Sequence, residues 1–210
     1  MKLSFLTFAC PDWRFDEIIE AAGRFGYHGI EFRCDAGHNH GVEATTSALR
    51  RRELATRLER ADIEPVCLAT SLTFLDDDVM DQVPARLELA GDIGFEGVRV
   101  FCGVQPPGMG RDQAINRAAS QLRLAADFAD EYGVQIWLET HDSAGKAMDA
   151  AEIVHLADHP AIGLCWDNLN THRAGEDLEA TKTALRDVIR HTHFHNGLNR
   201  RSDLVITPLD

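Results

Sequence analysis

No stretch of the 210-residue chain approaches the ~18 consecutive apolar residues of a membrane-spanning helix, so a membrane partner is not expected. Basic residues are scarce. Lys and Arg number 21 against 34 Asp and Glu, for a formal net charge of -13. A field of that sign repels phosphate backbones, and nucleic acid is not an expected partner. The one dense basic run, Arg50-Arg51-Arg52, lies in a helical segment with Glu53, Arg57 and Glu59 and reads as a solvated helix face. Cysteine pairing signals are also missing. The five cysteines, Cys10, Cys34, Cys67, Cys102 and Cys165, are odd in number and form no CxxC pair, which argues against a disulfide framework or a zinc ribbon. All five fall in or beside predicted strands, where they act as small buried apolar residues, and this usage fits a reducing cytoplasm. The N-terminal run from Met1 to Leu6 has no small-residue cleavage site and breaks into Cys10-Pro11-Asp12-Trp13-Arg14, so it reads as a first strand.

What is present is ordinary globular composition, 44% hydrophobic and 26% charged, enough for a single domain over residues 1–210. Apolar β-rich runs alternate with amphipathic segments. Strands are expected at Leu3–Ala9, Gly29–Cys34, Pro65–Leu72, Gly97–Cys102, Val134–His141, Ile162–Asp167 and Arg190–His195. Helices are expected at Asp16–Phe25, Ser47–Ala61, Val79–Ile93, Asp112–Tyr132, Lys146–Ala157 and Leu178–Val188. Regular alternation without hairpin signals predicts βαβ units and a parallel sheet. Gly26-Tyr27-His28-Gly29-Ile30 and Gly94-Phe95-Glu96-Gly97-Val98 repeat one helix-to-strand junction, with a Gly placed to end the helix.

Alternation within the strands separates an open sheet from a closed barrel. Val134, Ile136 and Leu138 share one face, while Gln135, Trp137, Glu139 and His141 share the other. Ile162, Leu164 and Trp166 oppose Gly163, Cys165 and Asp167. One greasy face and one small or polar face fit a barrel, since an open doubly wound sheet is apolar on both. The predicted fold is a (β/α)8 TIM barrel short of its last β/α unit, because only seven strands are found. The tail Asp203-Leu204-Val205-Ile206 supplies at most a short strand.

Active sites of such barrels sit where strands end. Three successive strands end in Glu139-Thr140-His141-Asp142, Trp166-Asp167-Asn168 and His191-Thr192-His193-Phe194-His195. Carboxylate, carboxylate and imidazole on neighbouring strands suit a divalent metal. Arg99 shares an inner face with Phe101 and is placed either to bind a substrate oxyanion or to pair with Glu31. His38 and His40 lie on the loop after the second strand. Trp137 is either barrel filling or a sugar-stacking wall.

In order and spacing, these segments resemble the xylose isomerase-like TIM barrel superfamily. The likeness is to the sugar phosphate isomerase/epimerase group, which also embraces AP endonuclease family 2. It is carried by Gly26–Arg33, Trp137-Leu138-Glu139-Thr140-His141, Leu164-Cys165-Trp166-Asp167 and Ile189-Arg190-His191-Thr192-His193, and covers nearly the whole chain. The resemblance implies Glu139, Asp167 and His193 as metal ligands, with Glu139 also the general base. It implies proton abstraction next to a carbonyl of a sugar or cyclitol, through a metal-stabilised enediolate. Mn²⁺ or Mg²⁺ is favoured by the oxygen-rich donors, and the histidine admits Co²⁺ or Zn²⁺. Expected substrate contacts are His141, Asn170, His172, His195, Arg99, His38 and Glu31.

The chain departs from the family pattern in two places. Asn170 stands where relatives often have a substrate-contacting His, the nearest here being His172. The family's fourth ligand, a Glu on the eighth strand, lies past the seven strands read here. Two other functions compete: an endonuclease IV-like metal phosphoesterase, which the acidic charge disfavours, and a non-catalytic metabolite-binding barrel, which the short strand count favours. An incomplete barrel leaves edges exposed and predicts a homo-oligomer.

Overall fold

The computed structural model describes residues 2–200 and 203–207. Seven strands are hydrogen-bonded in the order of the sequence: β1 (Ser4–Leu6), β2 (Gly29–Arg33), β3 (Glu64–Thr73), β4 (Gly97–Phe101), β5 (Gln135–Glu139), β6 (Ile162–Asp167) and β7 (Ile189–His193). The helices are α1 (Phe15–Phe25), α2 (Ala48–Arg60), α3 (Val79–Ile93), α4 (Arg111–Tyr132), α5 (Ala147–Ala157), α6 (Asn168–Arg173) and α7 (Leu178–Leu185). Parallel strands in sequence order, each joined to the next by a helix, are the α/β arrangement of TIM barrels, here with seven strands in the sheet. No helix among the described residues is long and apolar enough to cross a membrane.

Contacts group the chain into two compact units. The first comprises Met1–Leu72, Asp77–Val100 and Leu124–Ile136. Its core is built from Ile18, Ile30, Phe32, Leu54, Leu58, Leu68 and Leu87, all buried. Each such side chain contributes about 1.5–3 kcal/mol by leaving water. Phe15 stacks on Phe32 at 5.3 Å between ring centroids. The repeated junction has a physical explanation here. Gly26 and Gly94 close α1 and α3 in the left-handed region, at φ 74° and 91°. Gly29 opens β2 where a Cβ would lie 2.6 Å from the Glu64 carbonyl oxygen, so the strand passes only without a side chain.

The second unit comprises Thr73–Asp76, Phe101–Arg123 and Trp137–Asp210. Its core includes Leu122, Trp137, Leu138, Leu164 and Leu185. Every residue of β6 is buried, on both faces.

Four expectations need correction. The first strand is shorter than Leu3–Ala9, because Thr7–Ala9 turns into a 3-10 helix closed by the Cys10 N–H on the Thr7 carbonyl. The basic run is not wholly solvated. Arg51 is buried and pairs with Glu88 and Asp92 of α3, each at 3.1 Å. A helix, α6, follows β6 directly, in a segment where no helix was expected. Six residues are too short for apolar periodicity to show. Finally, a hairpin exists. The tail strand is β9 (Asp203–Thr207), but it pairs antiparallel with β8 (Asn196–Arg200) in a separate two-stranded sheet. Arg201 and Ser202, between them, and Met1, counted in the first strand's run, lie outside the described residues.

Candidate metal centre

The register of β6 on β7 sets the geometry. Cys165 lies opposite His191, Trp166 opposite Thr192 and Asp167 opposite His193. Residues two apart on a strand face the same side. Cys165 with His191 and Asp167 with His193 therefore form successive tiers of one face. β5 contributes to both. The Trp137 indole stacks on His191 at 5.4 Å and an interplanar angle of 19°. Two residues on, Glu139 Oε1 lies 3.6 Å from His193 Nδ1.

The outer tier brings one donor atom each from Glu139, Asp167 and His193 within 4.8 Å of one another. The carboxylates are 5% and 2% exposed, so a divalent cation between them would offset the repulsion of two buried like charges. Donors about 2.1 Å from one ion stand roughly 3.0–3.5 Å apart, so the 3.6 Å gap between Glu139 and His193 suits joint ligation and exceeds a hydrogen bond. Two carboxylates and an imidazole fit a divalent cation in both charge and chemistry.

Asp167 is held at both oxygens. As N-cap of α6 its Oδ1 accepts the Asn170 N–H at 2.9 Å. Its Oδ2 accepts His195 Nε2–H at 2.6 Å. Each oxygen keeps a second lone pair for an ion. Thr140 Oγ1 accepts the Asp167 N–H at 2.9 Å and so ties the end of β5 to the end of β6. None of these supports was read from the sequence. The one local signal for them is Asp167 itself, a residue type favoured at helix N-caps.

The remaining expected contacts divide. Asn170 reaches the centre through its backbone N–H. His195 reaches it through Asp167. His141 packs on Phe101 at 4.8 Å, with Nδ1 2.7 Å from Asp142 Oδ1. His172 is exposed in the last turn of α6, outside the donor cluster among the described residues.

In the first unit, Glu31 is buried on β2 opposite Cys67. Arg99 is buried on β4 and donates from Nη1 to the Thr70 carbonyl at 2.7 Å. His38 packs against Phe8 and edge-on to His40. His40 accepts the Val42 N–H at Nδ1, which leaves Nε2–H to donate to Thr7 Oγ1 at 3.3 Å. Burial lowers its pKa to about 4, so it is a neutral structural residue of this loop. The same loop is closed by Glu43, which accepts the N–H groups of Asp35 and Gly37. Beside it the Cys34 thiol is pushed up by burial and stays protonated. All five cysteines are buried, as their place in the strands implied.

The sequence model of the xylose isomerase-like TIM barrel family matches residues 19–205, and the chain belongs to that family. No curated protein sequence is significantly similar to it. Among solved structures, the IolI protein with a bound zinc atom is 21% identical, with a TM-score of 0.82 over 95% of this chain and 74% of that one. The probable 3-DHS dehydratase AsbF of petrobactin synthesis, from Bacillus anthracis, is 22% identical, with a TM-score of 0.79 over the same shares. D-psicose 3-epimerase, solved in the presence of D-fructose, is 13% identical, with a TM-score of 0.76 over 92% and 72%. At these identities the likeness is one of fold. The structural neighbours include sugar epimerases and a dehydratase.

Proposed function

We propose that this protein is a divalent-metal-dependent isomerase or epimerase of a small sugar or cyclitol, acting by proton transfer at a carbon next to a carbonyl. The observation that carries this reading is the convergence of Glu139, Asp167 and His193 within 4.8 Å at the ends of β5, β6 and β7. The naming of two neighbours as sugar epimerases agrees with it. Glu139, Asp167 and His193 hold the ion. When bound, the ion supplies Lewis-acid stabilisation of charge developing on the substrate oxygen.

The chain's own residues do the rest. Glu139 accepts the proton from carbon, and its burial excludes water that would compete for that proton. In an isomerisation Glu139 returns the proton on the same face to the neighbouring carbon, whereas an epimerisation needs a second acid to deliver a proton on the opposite face. The electron pair of the broken C–H bond moves onto the carbonyl oxygen. His195 and the Asn170 N–H fix the Asp167 carboxylate in place. Trp137, stacked on His191, forms an apolar floor for the centre. Oxygen-rich donors favour Mn²⁺ or Mg²⁺.

The test is metal analysis followed by incubation with ketoses in D₂O. After loading with Mn²⁺, about one manganese per chain, lost in Glu139→Gln, with deuterium entering the sugar next to its carbonyl, is the expected result. A metal-loaded protein that incorporates none across a broad panel of ketoses and cyclitol ketones overturns the reaction. A protein that takes up no ion at all overturns the centre.

A further inference from the structure

One register step behind the oxygen-rich tier, a second donor set is built from softer atoms. Cys165 Sγ and one ring nitrogen each of His191 and His193 lie within 4.8 Å of one another. Cys165 is fully buried. It pairs across the ladder with His191, and the His191 and His193 rings meet edge to face at 5.3 Å. The Trp137 indole covers His191 and shields the set on one side.

We propose that Cys165, His191 and His193 form a second metal site, selective for a thiophilic ion of the Zn²⁺ or Co²⁺ class. A thiolate and two imidazoles are the donor set that these ions accept in tetrahedral sites, with water in the remaining position, and that Mn²⁺ and Mg²⁺ do not prefer. Bonds of about 2.0 Å to nitrogen and 2.3 Å to sulfur place such donors roughly 3.3–3.6 Å apart. The donor atoms lie within 4.8 Å of one another, and binding requires side-chain rotations that bring them to this spacing. Binding breaks the Cys165 S–H bond, and the proton leaves to solvent.

His193 belongs to both donor sets. A thiophilic ion in the inner set therefore competes with the outer set for His193, and the identity of the metal selects the tier. The inner site stands without the proposed reaction. Only its effect on turnover rests on that reading.

The experiment is an anaerobic titration of the whole apo protein with Co²⁺, followed in the near ultraviolet for thiolate-to-cobalt charge transfer. The wild type is expected to show the band. Cys165→Ser is expected to lose it, and so is His191→Gln. Glu139→Gln is expected to keep it, because Glu139 belongs to the outer tier alone. Mn²⁺ uptake by Cys165→Ser, read by electron paramagnetic resonance, reports whether that variant is folded, and His191→Gln decides if it is not. Absence of the band in the wild type overturns the site. So does a band that survives in the inner-tier variants, since another cysteine then carries it. A band lost in Glu139→Gln also overturns it, because Cys165 would then serve the outer centre. A wild type that shows the band but takes up no Mn²⁺ leaves this site standing and removes the outer one.

Discussion

The His195 ring donates to Asp167 Oδ2 at 2.6 Å, while the other oxygen of that carboxylate accepts the Asn170 N–H. Asp167 is therefore oriented before any ion arrives. Supports of this kind are typically worth 10–100-fold in metal affinity. His195→Ala is expected to weaken Mn²⁺ binding by about that factor without unfolding the protein. Isothermal titration of the wild type and variant measures it. Equal affinities would show that the α6 cap alone suffices to hold Asp167.

Glu139→Gln keeps the size of the side chain and removes its charge. Since Glu139 is 5% exposed, the amide has little water to turn to, and the loss falls directly on the centre. After loading with Mn²⁺, the bound manganese is expected to fall by at least about tenfold, with an unchanged circular dichroism spectrum. Elemental mass spectrometry on the two proteins decides it.

His40 makes stability depend on pH. Its folded pKa is lowered to about 4, first by burial and then by the neighbouring His38. An unfolded histidine titrates near 6.5. Between these values the unfolded chain binds a proton that the folded chain does not, so stability falls as pH drops from about 6.5 towards 4. The loss from this one group totals about 3 kcal/mol. Denaturant titrations at pH 7 and pH 4.5 are expected to differ more for the wild type than for His40→Gln. An equal difference would mean that His40 is not the group responsible.

Arg51 couples α2 to α3 through Glu88 and Asp92. The two acids are roughly half exposed, which discounts the pairing, but the arginine is buried and also donates to the Thr46 carbonyl at 2.7 Å. Arg51→Met keeps the stem and discards the charge. It is expected to destabilise the protein by about 1–3 kcal/mol, whereas Arg52→Met, at an exposed position, is expected to change stability by less than about 0.5 kcal/mol. Urea midpoints read both.

Gly29→Ala tests the repeated junction. Its Cβ would meet Val66 Cγ2 at 2.4 Å and the Glu64 carbonyl oxygen at 2.6 Å. The valine can rotate, but the backbone oxygen is held in the parallel ladder of β2 and β3. A loss of about 1–3 kcal/mol is expected by thermal denaturation. A neutral outcome would show that the two strands can part locally.

Much of this protein was legible from order alone. A strand with apolar residues on one side and Glu139 or Asp167 on the other has only one favourable way to lie between helices and a polar interior, so period-2 alternation placed these carboxylates on one face. Gly26 and Gly94 marked helix ends because a left-handed residue is cheapest as glycine. Other features carry no local signal. Arg51 reads like Arg50 and Arg52 until α3 packs against it. The hairpin of β8 and β9 shows no strong turn motif. His40 and His38 look alike in sequence, and only the position of Thr7 and the Val42 N–H makes His40 structural. Hydrophobic patterning is local and repeats along the chain, and it determined the strands, the helices and the face on which the donors lie. Register between strands is a long-range property. It was the tertiary structure that set Asp167 opposite His193, turned His195 onto Asp167 and laid Cys165 beside His191.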